Sequence, residues 1–286
     1  MTFTMSLIRS PQKKQRPVTQ LREHYKIERE LADRLRNSAK EDRGKLYTEI
    51  YNELYRRVPD HPQITQKACL KAQHRVIASQ LRLLSGFLKR ETVFLEIGPG
   101  DCQLSFEIAK RVKKVYAIDI SEEITKGSQR PKDFELILSS DINMDIFNQN
   151  IHVAYSNQVM EHIHPNDALG QLQGIYKALI PGGVYICVTP HRFTGPHDIS
   201  AYFDHIATGL HLKEYTNREL YDLFKTAGFS KTWSCLNLRF AYIRVPIYIV
   251  IALEQLLGAL PYGLKKMISR TLLFRSILGI RIIAAR

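Results

Sequence analysis

Val93-Phe94-Leu95-Glu96-Ile97-Gly98-Pro99-Gly100-Asp101, followed by Val115-Tyr116-Ala117-Ile118-Asp119, is the stretch on which the reading of this chain turns. The apolar run from Val93 to Ile97 suits a buried parallel strand. Two glycines then let backbone approach a ligand, and Leu104 to Val112 carries the helical apolar spacing expected next. The second strand ends in an acid, Asp119, a position from which a carboxylate can accept both hydroxyls of an adenosine ribose. A nicotinamide fingerprint would need a third glycine three residues after Gly100. That position is Gln103, which argues against NAD.

These residues resemble the first motif of class I S-adenosylmethionine-dependent methyltransferases: an acid at the strand end, then glycine, any residue, glycine. Glu96 discriminates here. The ligand of that family is a zwitterionic, sulfonium-bearing methionine without a pyrophosphate, so an anion near the turn is useful where a dinucleotide would be repelled. Asp101 stands where the family often has a third glycine. Further segments follow in the family's order. Leu136 to Leu138 reads as a third strand, and after it come Ser139-Ser140-Asp141-Ile142, where the family sets an acid on the adenine amino group and an apolar neighbour against the ring. His152 to His162 resembles the fourth strand and the loop that floors the transferred methyl. Ala178 to Val188 looks like a helix end, a Pro-Gly-Gly turn and a fifth strand. Glu214 to Phe229 looks like a capped helix ending at Gly228.

The resemblance covers about 91–240. It implies an α/β fold: a Rossmann-like, seven-stranded doubly wound sheet, mostly parallel with an antiparallel last strand, carrying an N-terminal helical extension and a helical insertion before the last strand. It implies S-adenosylmethionine as cofactor and S-adenosylhomocysteine as product. The cofactor-binding residues it implies are Glu96, Gly98, Pro99, Gly100, Asp119, Ile120, Asp141, Ile142 and Asn157. Three regions are expected: a basic helical extension or lid over 1–90, the cofactor-binding core over 91–240, and an apolar, basic insertion with the final strand over 241–286.

A net charge of +13 is unevenly spread. Residues 1–90 hold 20 basic and 9 acidic side chains (+11), residues 91–239 hold 14 and 18 (−4), and residues 240–286 hold 7 and 1 (+6). A mildly acidic core with basic flanks argues against a core built to track phosphates. The flanks suit an anionic surface, lipid headgroup or nucleic acid, or are simply solvated helix faces. Cys69, Cys102, Cys187 and Cys235 form no C-x-x-C pair, so neither zinc nor a disulfide framework is suggested. Arg9, Lys13, Lys14 and Arg16 come without an apolar signal core. The expected location is cytoplasmic, with peripheral contact at the inner membrane face as its extension.

The first 90 residues read as helices. Ile27, Leu31 and Leu35 form one line; Leu46, Ile50 and Leu54 form another, beside Tyr47, Tyr51 and Tyr55. The tyrosine row is expected on the sheet edge, with a substrate pocket as the alternative. A third helix is expected from about 63 to 89. From Tyr242 to Ile280 the chain is strongly apolar and then basic. Its clean run, Val245 to Leu253, is far shorter than the roughly 20 residues of a membrane span. Lying in a membrane interface, closing over an apolar substrate or second subunit, and core packing are all open readings.

Methyl transfer to oxygen or nitrogen releases a proton, for which a histidine is the usual acceptor. His162, directly after the fourth strand, and His191, in the loop after the fifth, are the candidate catalytic residues; Asp204, His205 and His211 lie farther along the same loop. Glu161-His162 also resembles part of the Glu-x-x-Glu-His group that holds a divalent metal in ubiquinone-pathway O-methyltransferases. Gln158 replaces the first glutamate, so no metal is expected. The Asn/Asp-Pro-Pro-aromatic motif of base-amine methyltransferases is replaced by Asn157-Gln158-Val159-Met160, which disfavours nucleic acid. The expected function is methyl transfer to a small-molecule or lipid-like acceptor, at oxygen. The alternatives are an RNA methyltransferase and a non-catalytic S-adenosylmethionine-binding interaction protein.

Overall fold

The computed structural model describes residues 16–62, 70–120, 130–139, 144–238 and 241–286. Its centre is an eight-stranded sheet in the order β3-β2-β1-β4-β5-β8-β6-β7. The strands are β1 (Val93–Ile97), β2 (Lys114–Asp119), β3 (Phe134–Leu138), β4 (Ile151–Asn157), β5 (Leu179–Thr189), β6 (Lys231–Leu238), β7 (Ala241–Pro246) and β8 (Ile280–Ala285). β1 to β5 pair in parallel, while β8 runs antiparallel between β5 and β6. All five residues of β1 are buried, as a strand covered on both faces requires. Leu95 and Ile97 pack into one core with the helices α5 (Pro165–Ala178), α6 (Asn217–Ala227) and α7 (Ile247–Gly258). Phe94 packs into the other with α3 (Leu70–Leu84) and α4 (Gln103–Ala109).

One expectation needs correction. The sheet has eight strands, not seven, because Ala241–Pro246 forms a hairpin with β6 at the sheet edge rather than opening the helical insertion. Ile243 and Val245 are β-branched, as strands favour, and Pro246, lacking an N–H, ends the strand and starts α7. The insertion proper is α7, α8 (Tyr262–Ser269) and α9 (Leu272–Leu278).

Two helices, α1 (Val18–Arg36) and α2 (Lys40–Arg57), build a third layer of their own. Ile27, Leu31, Leu35, Ile50 and Leu54 are buried between them, together with Leu210. The tyrosine row does not lie at a sheet edge; α2 crosses the carboxyl ends of the strands instead. Thr48 donates to the carbonyl of Ile120 at 3.3 Å, the Tyr47 hydroxyl accepts from the His164 N–H at 2.6 Å, and Arg43 pairs with Asp167 at 2.6 Å. α1 is tied to the loop after β5, Arg36 donating to the carbonyls of Thr208 and Gly209 at 3.0 Å each. The third expected helix is described from Leu70, and the part over 63–69 lies outside the described residues.

Candidate active site

The turn after β1 is shaped by backbone that side chains resist. Gly98 and Gly100 have φ of 63° and 58°, in the left-handed region. A Cβ on Gly98 would lie 2.6 Å from Val159 Cγ2, in the loop after β4, so that glycine also allows the loop to close on the turn. A Cβ on Gly100 would meet nothing within 4 Å: the space above it is open, a cradle for a ligand. Asp101 stiffens the turn, accepting from the Gln103 N–H at 3.1 Å and from Gln73 on α3 at 2.5 Å. Beneath it Glu96 is buried and accepts from the Ser105 hydroxyl at 2.5 Å. Burial pushes its carboxyl up to about 8, with Asp101 and Asp119 adding to the effect. Asp119, at the end of the neighbouring strand, is half-buried and accepts from the Ile120 N–H at 2.7 Å. Pro99 and Ile120 flank these groups, and Asn157 ends β4 beside them. Asp141 and Ile142 lie outside the described residues. An open glycine cradle between two acids on adjacent parallel strands fits a nucleoside bearing a cationic amino acid.

The loop after β4 opens the second half of the site. His162 Nδ1 donates to the Leu210 carbonyl at 3.0 Å, and the ring makes edge contacts with Tyr51 at 6.1 Å and His211 at 4.8 Å. Burial, then the neighbouring His211, pulls His162 down to about 3, so it is neutral with Nε2 unprotonated. His211 is held the opposite way. Although burial lowers it, the Glu214 carboxylate, accepting from Nδ1 at 2.9 Å, together with Glu161 and Asp198, raises it above the ordinary imidazole range. Glu214 also accepts from the His197 N–H at 2.7 Å. Against the burial term, the His197 and His211 bonds bring it down to about 2. Glu161 is buried; one oxygen accepts from Thr189 at 2.7 Å and Oε1 has no partner.

One donor atom from each of Glu161, His162 and His211 lies within 4.8 Å of the others, a set a divalent cation can accept. A second such cluster, His24, Glu28 and His61, is closed differently. Arg16 donates to His24 Nδ1 at 2.9 Å, which leaves the Nε2 proton for Glu28 at 2.6 Å, so the imidazole is committed at both nitrogens.

His191 is 1% exposed. Nδ1 accepts from the Phe193 N–H at 3.0 Å and Nε2 donates to Glu254 at 2.7 Å. Glu254, an interruption of the apolar run in the sequence, is a buried cap: it also accepts from the Asn217 and Arg218 N–H groups at 2.7 and 3.2 Å, the first donors of α6. His191 therefore joins the loop after β5 to α7. The sequence reading offered Tyr51 for a substrate pocket only as the alternative to a sheet edge, and it did not single out Glu214. The spacing of His211 and Glu214, three residues apart, is the signal that could have found the latter.

The model of a methyltransferase domain matches residues 70–232, more than half of the chain. No curated protein matches. Among solved structures, a chain from the complex of the Haloferax volcanii Trm112 methyltransferase activator with a methyltransferase is 16% identical, with a TM-score of 0.53 over 79% of this chain and 96% of that one. The Burkholderia thailandensis 1,6-didemethyltoxoflavin-N1-methyltransferase, with bound 1,6-didemethyltoxoflavin and S-adenosylhomocysteine, is 15% identical, with a TM-score of 0.53 over 87% and 91%. With the sheet order, the glycine cradle and its two acids already in place, the chain belongs to the methyltransferase-domain family, as a class I S-adenosylmethionine-dependent methyltransferase.

Proposed function

We propose that this enzyme methylates an oxygen of a small-molecule or lipid-like acceptor, with His211 as the general base. The observation that carries the reading is the His211–Glu214 pair, set against His162, whose other edge meets Tyr51. The donor supplies an electrophilic methyl on a sulfonium. The chain must hold the acceptor in line and take up its proton. His162, at about 3, is too weak a base for a hydroxyl near neutral pH; its free Nε2 serves to accept a hydrogen bond and orient the acceptor. His211 can take the proton at Nε2 while Glu214 steadies the resulting cation. Glycines 98 and 100 cradle the donor, Asp119 receives its ribose, and α2 excludes water from above.

The test uses isotope-labelled methyl donor with fractionated small-molecule and lipid extracts, followed by variants on the acceptor that labels. His211→Ala should lower kcat by about 10²- to 10⁴-fold with donor affinity unchanged. Because the base must be unprotonated and its pKa is raised, activity should fall as pH drops, with an acid limb above about 6.5. Glu214→Gln should move that limb to lower pH. Full activity in His211→Ala with an unaltered pH profile would overturn the assignment.

A further inference from the structure

We propose that the outer face of α7–α9 docks this protein on an anionic lipid bilayer, beside the loop that carries His211. Of the seventeen large apolar side chains exposed among the described residues, nine lie on α7–α9 and a tenth, Ile243, on the adjoining β7, so exposed apolar surface is concentrated in this region. Leu256, Met267, Leu272 and Leu273 are between 63% and 85% exposed, beyond what isolated surface leucines need explaining. α7 is apolar on both sides: Ile247, Val250, Ile251 and Leu257 face the core, while Tyr248 and Leu256 face out. α8 packs against α7, and α9 against both, so the exposed side chains belong to one assembly. That assembly is fastened to the acceptor side. Lys266 donates to the Gly195 carbonyl at 2.6 Å, Ser269 to the Phe193 carbonyl at 2.8 Å, and the Tyr262 ring meets His205 at 5.8 Å, next to the exposed Ile206.

Charge selects the occupant. The sole acid of residues 240–286, Glu254, is buried, so the face offers no anionic group. Arg270 and Arg275 are exposed, and no ion pair joins either to a carboxylate among the described residues. Lys265 and Lys266 are drawn back to the Gly258 and Gly195 carbonyls, which leaves Arg270 and Arg275 for the headgroups. A second copy brought face to face would oppose like charges, whereas phospholipid headgroups over acyl chains complement both features. No helix among the described residues is long and apolar enough to cross a membrane, and α7, at about 18 Å, reaches little more than half of a hydrocarbon core of about 30 Å. The contact is interfacial.

The full chain is sedimented with phosphatidylcholine vesicles and with mixed phosphatidylglycerol–phosphatidylcholine vesicles, at low and high salt. Binding is expected on the mixed vesicles, about tenfold weaker on phosphatidylcholine alone, and reduced by salt. Arg270→Gln with Arg275→Gln, and separately Leu256→Asp with Leu272→Asp, should each weaken it by about tenfold or more while calorimetry finds donor affinity unchanged. Donor affinity keeps this test distinct from that of the acceptor chemistry, and the arginine pair remains informative if the aspartates impair folding. Absence of vesicle binding, or binding equal in wild type and the arginine variant, overturns the proposal. So does a concentration-dependent dimer that Leu256→Asp with Leu272→Asp abolishes, which would give the face to a second copy.

Discussion

Glu96 sits under the glycine turn with Ser105, Asp101 and Asp119 around it, none of them a positive charge, and with its carboxyl near 8 it holds a proton through the neutral range. A group raised in the folded state favours folding at low pH, and that contribution is lost as pH rises from about 4.5 through 8. A donor whose ammonium approaches the turn reverses the preference. Binding should therefore release about one proton per site at pH 7 and tighten with pH up to about 8. Calorimetry in two buffers of different ionisation enthalpy measures the release; none, or a pH dependence that survives Glu96→Gln, would remove Glu96 from donor binding. Asp119→Ala takes away a charged acceptor for the ribose and should weaken donor affinity roughly tenfold to hundredfold, about 1.5 to 3 kcal/mol. Unchanged affinity would send the ribose elsewhere.

At the scale of elements, α6 shows how two caps on one helix differ. Thr216 and Glu219 form a capping box, while Glu254 reaches in from α7 to the first two N–H groups. Thr216→Ala should cost about 1 kcal/mol, since Glu254 still serves the helix end. Glu254→Ala strands the buried His191 and should cost about 3 kcal/mol or more. Urea unfolding of both variants checks the order, and equal losses would mean that Glu254 contributes only as a cap. The first of these caps was legible in the sequence and the second was not, for a physical reason. Thr216, Glu219 and Gly228 signal through spacing within one helix, as do the buried β1 and the glycine turn. Glu254 and the two N–H groups it caps are 36 and 37 residues apart and meet only through tertiary packing. The edge strand β7 was hidden in the same way: six residues, the last of them Pro246, carry too little period to separate them from the apolar helix that follows. Half of the acceptor site, His211 with Glu214 and Tyr51, depended on where α2 and the long loop were brought together. By contrast, the parallel sheet and the glycine turn after β1 are local strand-turn-helix signals and could be read in order.

For the whole molecule, acid should loosen the α1–α2 layer before it melts the sheet. Glu28, where α1 meets the loop after β5, is held well below the carboxylate range: burial opposes this, but the bonds from His24 and His61 prevail. Glu214, in the same loop, is near 2. Both are depressed, so their contribution is present above about pH 4.5 and is lost as pH falls from there toward 2. Trp233, the single tryptophan, lies in β6, whereas Tyr47, Tyr51 and Tyr55 lie on α2. Near-ultraviolet circular dichroism should lose the part of its tyrosine signal that α2 contributes below pH 4.5, while the tryptophan band and the signal of Tyr155 and Tyr185 in the sheet persist; coincident loss would mean that the α1–α2 layer and the sheet unfold as one unit. Glu254 carries a consequence at the same scale. Through His191 and the first turn of α6 it makes the docking helices and the loop of the acceptor site parts of one rigid connection. Coupling free energies between two binding events are symmetric, so any factor by which a bilayer tightens donor or acceptor binding is the factor by which those ligands tighten the hold on the bilayer. Catalytic occupancy would then set how long the enzyme stays on a surface, with departure favoured once the site empties.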